Sequence, residues 1–266
     1  MTSPFGDDLP PPASPAIAPP ARLRDDPALL QIGWLALALL ISALRAYLPG
    51  PPSTTAPLGW GGLLLTMWYL TPAKVKVWEL VSVWLATYVL MVVGSTYIAW
   101  GGAAIAPLAV LLLAFLLPRR DTAPAAADWG RMLALVLWVA FGVFGLMGLL
   151  TIPTPLGPAV VPVLGALIAY NAGRRAGQRQ GLSERVATGI GLTLAVAGAI
   201  ALGPTGPANL ALVGGLALGL LAVQVAPAPP VGRTGGSNAL LAAHGQIAFV
   251  APLTFALLWL VRTVAP

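Results

Sequence analysis

The sequence predicts an all-α fold: a polytopic helical membrane bundle of about nine transmembrane helices. Three observations lead there. The chain of 266 residues is 58% hydrophobic and only 8% charged, whereas a soluble domain carries about 25% charged residues; so apolar a chain cannot cover itself with a polar surface. Its Leu, Ala, Val, Gly and Ile fall in runs of roughly 14 to 23 residues, and runs near 20 match a hydrocarbon core of about 30 Å. The basic residues gather in every second loop, as membrane topology demands. Lipid offers backbone amides no partner, so the runs must be helices or barrel strands. Barrel strands alternate in polarity; these runs do not, and helices follow.

Residues 1–27 form a cytoplasmic tail rich in proline, with Asp7, Asp8, Asp25 and Asp26 among the prolines. It holds too little apolar surface to bury a core, and disorder is expected. It does not read as a signal peptide, because Arg22 and Arg24 lie too deep and the start is acidic. Residues 28–266 read as a single transmembrane domain, with spans at about 28–48, 58–71, 77–99, 103–117, 131–150, 158–172, 186–203, 208–226 and 240–262. The second, fourth and sixth runs are short and need local thinning of the bilayer, or extension into their flanks.

Orientation follows from the loop charges. With the N-terminus inside, the inner segments hold Arg22, Arg24, Lys74, Lys76, Arg119, Arg120, Arg131, Arg174, Arg175, Arg179, Arg185 and Arg233, and the outer side holds Arg45 and Arg262. The outer loops near 49–57, 100–102, 151–157 and 204–207 carry no charge. This distribution predicts a multi-pass protein of a bacterial inner membrane, N-terminus cytoplasmic and C-terminus outside. Trp60, Trp100 and Trp259 then fall near the outer interface, and Trp68, Trp78 and Trp129 near the inner one, where their amphipathic rings are favoured.

A short pattern hints at tandem helical hairpins. Pro155-Leu156-Gly157-Pro158-Ala159 precedes the sixth span, and Pro204-Thr205-Gly206-Pro207-Ala208 precedes the eighth. The repeating unit would be a helix that rises, a Pro/Gly turn outside, and a helix that returns to a basic end, in the manner of internal repeats in transporters. Tight turns also select Pro and Gly for their backbone geometry alone.

Polar residues inside the spans are few. His244 and Gln246 in the ninth span, Gln224 in the eighth, and Tyr170 and Asn171 in the sixth fall at similar depth near the inner end. An intramembrane polar group either lines a functional cavity or hydrogen-bonds between helices to hold the bundle. Glu79 completes the candidate polar cavity; an ion pair with Lys76, one turn earlier, is its plainer role. Pro107, Pro162 and Pro252 fall inside spans and are expected to kink their helices by removing a backbone donor. Gly142, Gly145 and Gly148, and the pair Gly215 and Gly219, allow close helix contact within the monomer or at a dimer face.

No residue is assigned a catalytic role. The absence of Cys excludes disulfides and thiol chemistry, and a single His excludes a His-rich metal site, so no metal and no cofactor are expected. No Gly-rich phosphate loop with its Lys is present. Gly203-Pro204-Thr205-Gly206 with Ala243-His244-Gly245 resembles the serine motif and late histidine of rhomboid proteases over a few residues. Thr205 replaces the nucleophile, however, and the span order puts it at the opposite face from His244, whereas nucleophile and base need about 3 Å. The net charge of +6 is explained by helix ends, not by nucleic acid. Span number, prolines and sparse polar residues point to a non-enzymatic transporter, permease or membrane subunit of a transport system for a small or apolar solute. The alternatives are a lipid- or isoprenoid-handling membrane protein or enzyme, and a non-catalytic structural subunit of a membrane complex. The expected partners are the lipid bilayer, a small solute or lipid ligand, and companion membrane subunits.

Overall fold

The structure is a computed structural model that describes residues 26–47, 142–225 and 235–264. The expected spans at 58–71, 77–99 and 103–117, with Glu79 and Pro107, lie outside the described residues, so the count of nine rests partly on the sequence alone. What is described is helical apart from one minimal ribbon: α1 (Pro27–Tyr47), α2 (142–150), β1 (Pro153–Thr154), β2 (Gly157–Pro158), α3 (Val160–Arg179), α4 (Glu184–Leu202), α5 (Pro207–Val225) and α6 (Gly235–Val264). Four of these helices contain segments long and apolar enough to cross a membrane: Pro27–Leu44 of α1, α4, α5, and Ala242–Val264 of α6.

Local sequence sets each helix end. Asp26 caps α1: its Oδ1 accepts the N–H groups of Ala28 and Leu29, each at 3.1 Å. Pro27 occupies the first helical position, where its missing N–H costs nothing. The helix α3 runs past the expected end at 172 to Arg179, because nothing after Asn171 breaks it until Gly181. There the chain closes in a Schellman motif. Gly181 has a φ of +73° and donates to the Gln178 carbonyl at 3.0 Å, while Leu182 donates to the Gly177 carbonyl at 3.1 Å. Ser183 then caps α4, with Glu184 in the first turn against the positive end of the helix dipole.

Both P-x-G-P-A turns place their glycine at positive φ, +112° at Gly157 and +70° at Gly206, a backbone that L side chains rarely adopt. The first turn carries the ribbon, with Pro153 opposite Pro158 and Thr154 opposite Gly157. The second runs directly into α5 at Pro207, and the Asn209 amide donates to the carbonyls of Pro204 (2.7 Å) and Ile200 (3.3 Å) at the end of α4. The helices joined by this second turn are not the closest pair. The extensive contacts are α3 with α4 and α5 with α6, whereas α4 and α5 meet lightly. Close pairing therefore falls one helix out of phase with the hairpin unit expected from the turns.

Small residues set these pairs. A methyl added at Gly177 would stand 2.9 Å from Ala187 Cα, and one at Gly173 would stand 3.1 Å from Gly191 Cα. On the other pair, a methyl at Gly219 would stand 2.5 Å from Val250 Cα, and one at Gly215 would collide with the Thr254 backbone. Two small-xxx-small surfaces thus bring backbones together. The helix α2 packs on α6 by the same means: Gly142 faces His244, Gly145 faces the Ala251–Pro252 backbone, and Gly148 faces the Phe255 ring. The helix α1 lies against both α3 and α6, burying Leu30, Trp34, Leu35 and Ala38. The outer faces of α4 and α5 show Ile200, Leu210, Leu218 and Leu221, an apolar surface compatible with contact to lipid.

Candidate functional site: a polar seam at the Arg-rich end

Among the polar side chains on the second half of α3, Tyr170, Asn171, Arg174 and Arg175 form two i, i+4 pairs that share faces of the helix. Each reaches a different helix or its cap. Tyr170 accepts at its hydroxyl from Gln224 Nε2 of α5 at 2.8 Å. Asn171 and Gln246 of α6 form a reciprocal amide pair: Asn171 Nδ2 donates to Gln246 Oε1 at 2.7 Å, and Gln246 Nε2 donates back to Asn171 Oδ1 at 3.2 Å. The second proton of Asn171 Nδ2 goes to the Leu167 carbonyl at 2.8 Å. Both amides are buried, with 2% and 3% of their surface exposed. Burial of an amide is affordable because these bonds are made; an unmade one costs about 1–3 kcal/mol.

At the rim, Arg174 Nε donates to Glu184 Oε1 at 2.7 Å, and Gln178 Nε2 donates to Glu184 Oε2 at 2.7 Å, tying α3 to α4. Thr188, one turn further along α4, faces both Glu184 and Tyr170. Arg175 donates from Nε (3.1 Å) and Nη2 (2.6 Å) to Asp26 Oδ2, tying α3 to the cap of α1. Partial burial alone would raise the Asp26 pKa, but the Arg175 hydrogen bonds and charge, with the Leu29 and Ala28 amides, hold it below its ordinary value. Asp26 therefore does two things with two oxygens: one starts α1 and the other anchors it.

The other expected site residues fall as follows. His244 is buried on α6, two residues before Gln246, and therefore faces a different side. Its ring meets Trp34 of α1 edge-on, with centroids 6.3 Å apart, and Gly142 of α2 leaves it space, since a methyl there would stand 3.1 Å from Nε2. The structure thus brings Tyr170 with Gln224 and Asn171 with Gln246, but sets His244 in a separate contact with α1 and α2. Pro162 stands third in α3, in the turn whose N–H groups have no intrahelical acceptor, so its missing donor costs no hydrogen bond. Pro252 lies in the middle of α6, against Gly145. Thr205 sits in the α4–α5 turn. The 19 residues of α4 separate that turn from the Arg-rich end, about 28 Å at the helical rise. No group of three or more His, Cys, Asp or Glu that could hold a metal occurs among the described residues.

Sequence reasoning missed Trp34 as the partner of His244, and the roles of Asp26, Arg174 and Arg175. Asp26 before Pro27 is a legible cap signal, and Gly173-x-x-x-Gly177 is a legible packing signal. The choice of partner helix for Asn171 has no local signal at all.

A scan against protein-family models finds no match, and searches of curated proteins and of solved structures find none either. The functional reading therefore rests on the chain's own geometry.

Proposed function

We propose that the protein is a transport protein of the cytoplasmic membrane, a permease or the membrane subunit of a transport system, that moves a small or apolar solute without covalent chemistry. The observation that carries this reading is the seam. The α3–α4 and α5–α6 pairs are each joined by glycine-mediated backbone contact, yet they meet each other lightly. Neutral hydrogen bonds, Tyr170 with Gln224 and Asn171 with Gln246, bridge that meeting line. Backbones interlocked through glycine separate only as units. A neutral interhelical hydrogen bond in a membrane contributes about 0.6–2 kcal/mol, an amount that differential solute binding can offset. Two close pairs that meet each other lightly, with α1 lying against α3 of one and α6 of the other, are the kind of parts that alternating access requires. By the positive-inside rule the Arg-rich end, and with it the seam, faces the cytoplasm.

A non-catalytic structural subunit is the second reading, and one observation favours it: the buried amides of Asn171 and Gln246 are satisfied by each other and by Leu167. Native mass spectrometry of the mildly solubilised protein separates the two. The transport reading expects a bound small molecule at fixed stoichiometry, lost in the Asn171→Leu/Gln246→Leu variant. A co-purifying polypeptide with no small molecule would replace it with the subunit reading.

A further inference from the structure

Among the described residues, the Arg-rich end carries more positive charge than its carboxylates absorb. Four arginines, Arg174, Arg175, Arg179 and Arg185, stand there against two carboxylates, Asp26 and Glu184. Glu184 is engaged by Arg174 and Gln178. Asp26 Oδ2 is taken by Arg175 at 2.6 Å, and Arg179 reaches that same oxygen only at 3.9 Å. Arg185 has no ion-pair partner among the described residues. Among the described residues, two guanidiniums thus have no close carboxylate of their own, with the Arg179 side chain 67% exposed and Arg185 exposed as well.

These two arginines flank the turn 180–183, which the Schellman motif and the Ser183 cap hold in one shape. Arg179 stands on the last turn of α3 and Arg185 on the first turn of α4, so both spring from helical backbone. Beside them Leu182 and Val186 are exposed, at 39% and 51%. Apolar side chains are unfavourable in water and guanidiniums are unfavourable in hydrocarbon, so a turn showing both suits the level where acyl chains meet headgroups. The guanidinium fork matches phosphate oxygens and is weakly hydrated compared with an ammonium. Glu184 lies between the two arginines in sequence, but its charge is already matched by Arg174.

We propose that the α3–α4 turn binds the phosphodiester headgroup of an anionic phospholipid. Arg179 and Arg185 hold the phosphate, and Leu182 and Val186 lie against the first carbons of the acyl chains. This inference does not depend on the transport reading.

The test uses the full chain in neutral detergent, titrated with short-chain phosphatidylglycerol or phosphatidylcholine and read by native mass spectrometry. Phosphatidylglycerol binds more tightly than phosphatidylcholine, and Arg179→Gln and Arg185→Gln each weaken it roughly fivefold, the worth of one basic residue near an anionic surface. Arg262→Gln, an exposed arginine on the last turn of α6, leaves binding unchanged. Leu182→Gln weakens both lipids, and equimolar inorganic phosphate displaces neither. Equal binding of the two lipids, an Arg262→Gln effect as large as that of Arg179→Gln, or displacement by inorganic phosphate would each overturn the proposal. All the substituted side chains are exposed, so each single variant is expected to fold as the wild type does.

Discussion

Replacing Asn171 by Leu removes one half of a buried amide pair and leaves the other half stranded. Gln246 is 3% exposed, so its amide cannot turn to water, and two hydrogen bonds of 2.7 and 3.2 Å are lost together. The unsatisfied amide costs about 1–3 kcal/mol. Gln246→Leu strands Asn171 in the same way, although Asn171 retains its bond to the Leu167 carbonyl, so its cost falls toward the lower end of that range. Replacing both by Leu removes the need for either bond, and apolar substitution of both partners is nearly neutral by comparison. The double variant is therefore expected to be more stable than the sum of the singles, by roughly 1–2 kcal/mol. Reversible unfolding of the purified protein in mixed micelles, for wild type, both singles and the double, measures this coupling directly. Additive effects, with coupling within about 0.5 kcal/mol of zero, would refute the amide pair as a helix clasp. They would also remove the observation on which the closed seam rests.

Other expectations follow from single contacts. Gly219→Val drives a side chain into Val250, whose Cα would lie 2.5 Å from the new Cβ. A loss of about 1–3 kcal/mol is expected, whereas Gly189→Ala meets nothing within 4 Å and should gain about 0.5–1 kcal/mol in helix propensity; thermal unfolding reads both. Asp26→Asn weakens the anchor of α1 to Arg175. Because the Asp26 pKa is held down in the folded protein, its contribution is fully present above the ordinary carboxylate range and disappears as pH falls through the lowered value. The wild type should therefore lose stability on acidification to a greater extent than Asp26→Asn, and parallel pH–stability curves would contradict this. Reporter fusions at Arg175 and Pro266 should read inside and outside, respectively; a cytoplasmic Pro266 would mean that the spans have been miscounted.

The membrane character of the chain was legible from its sequence because it depends on composition and run length. Both are local: an 18-residue stretch such as Pro27–Leu44 is long and apolar enough to cross a membrane whatever it packs against. Helix ends were legible for the same reason. Asp26-Pro27, Gly181 and the Gly206-Pro207 turn each carry their own backbone chemistry, and α4 and α5 run over Glu184–Leu202 and Pro207–Val225, where apolar runs at about 186–203 and 208–226 stand in the sequence. The helix α3 continues to Arg179, beyond the span expected over 158–172, because Arg174 and Arg175 end an apolar run without ending the helix's hydrogen bonds.

Sequence alone also collected Tyr170, Asn171, Gln224, Gln246 and His244 at one depth, since depth follows from distance along a helix. Only the tertiary structure decided which of them touch. Tyr170 and Asn171 are neighbours in sequence yet bind different helices, α5 and α6, because successive residues point about 100° apart. His244 and Gln246 diverge for the same reason, one toward Trp34 and the other toward Asn171. The phase of helix pairing was likewise beyond local reading. The P-x-G-P-A turns state where the chain reverses, but the glycine surfaces on α3 and α5 select which neighbour is held closest, and that choice is made by the fit of two distant surfaces.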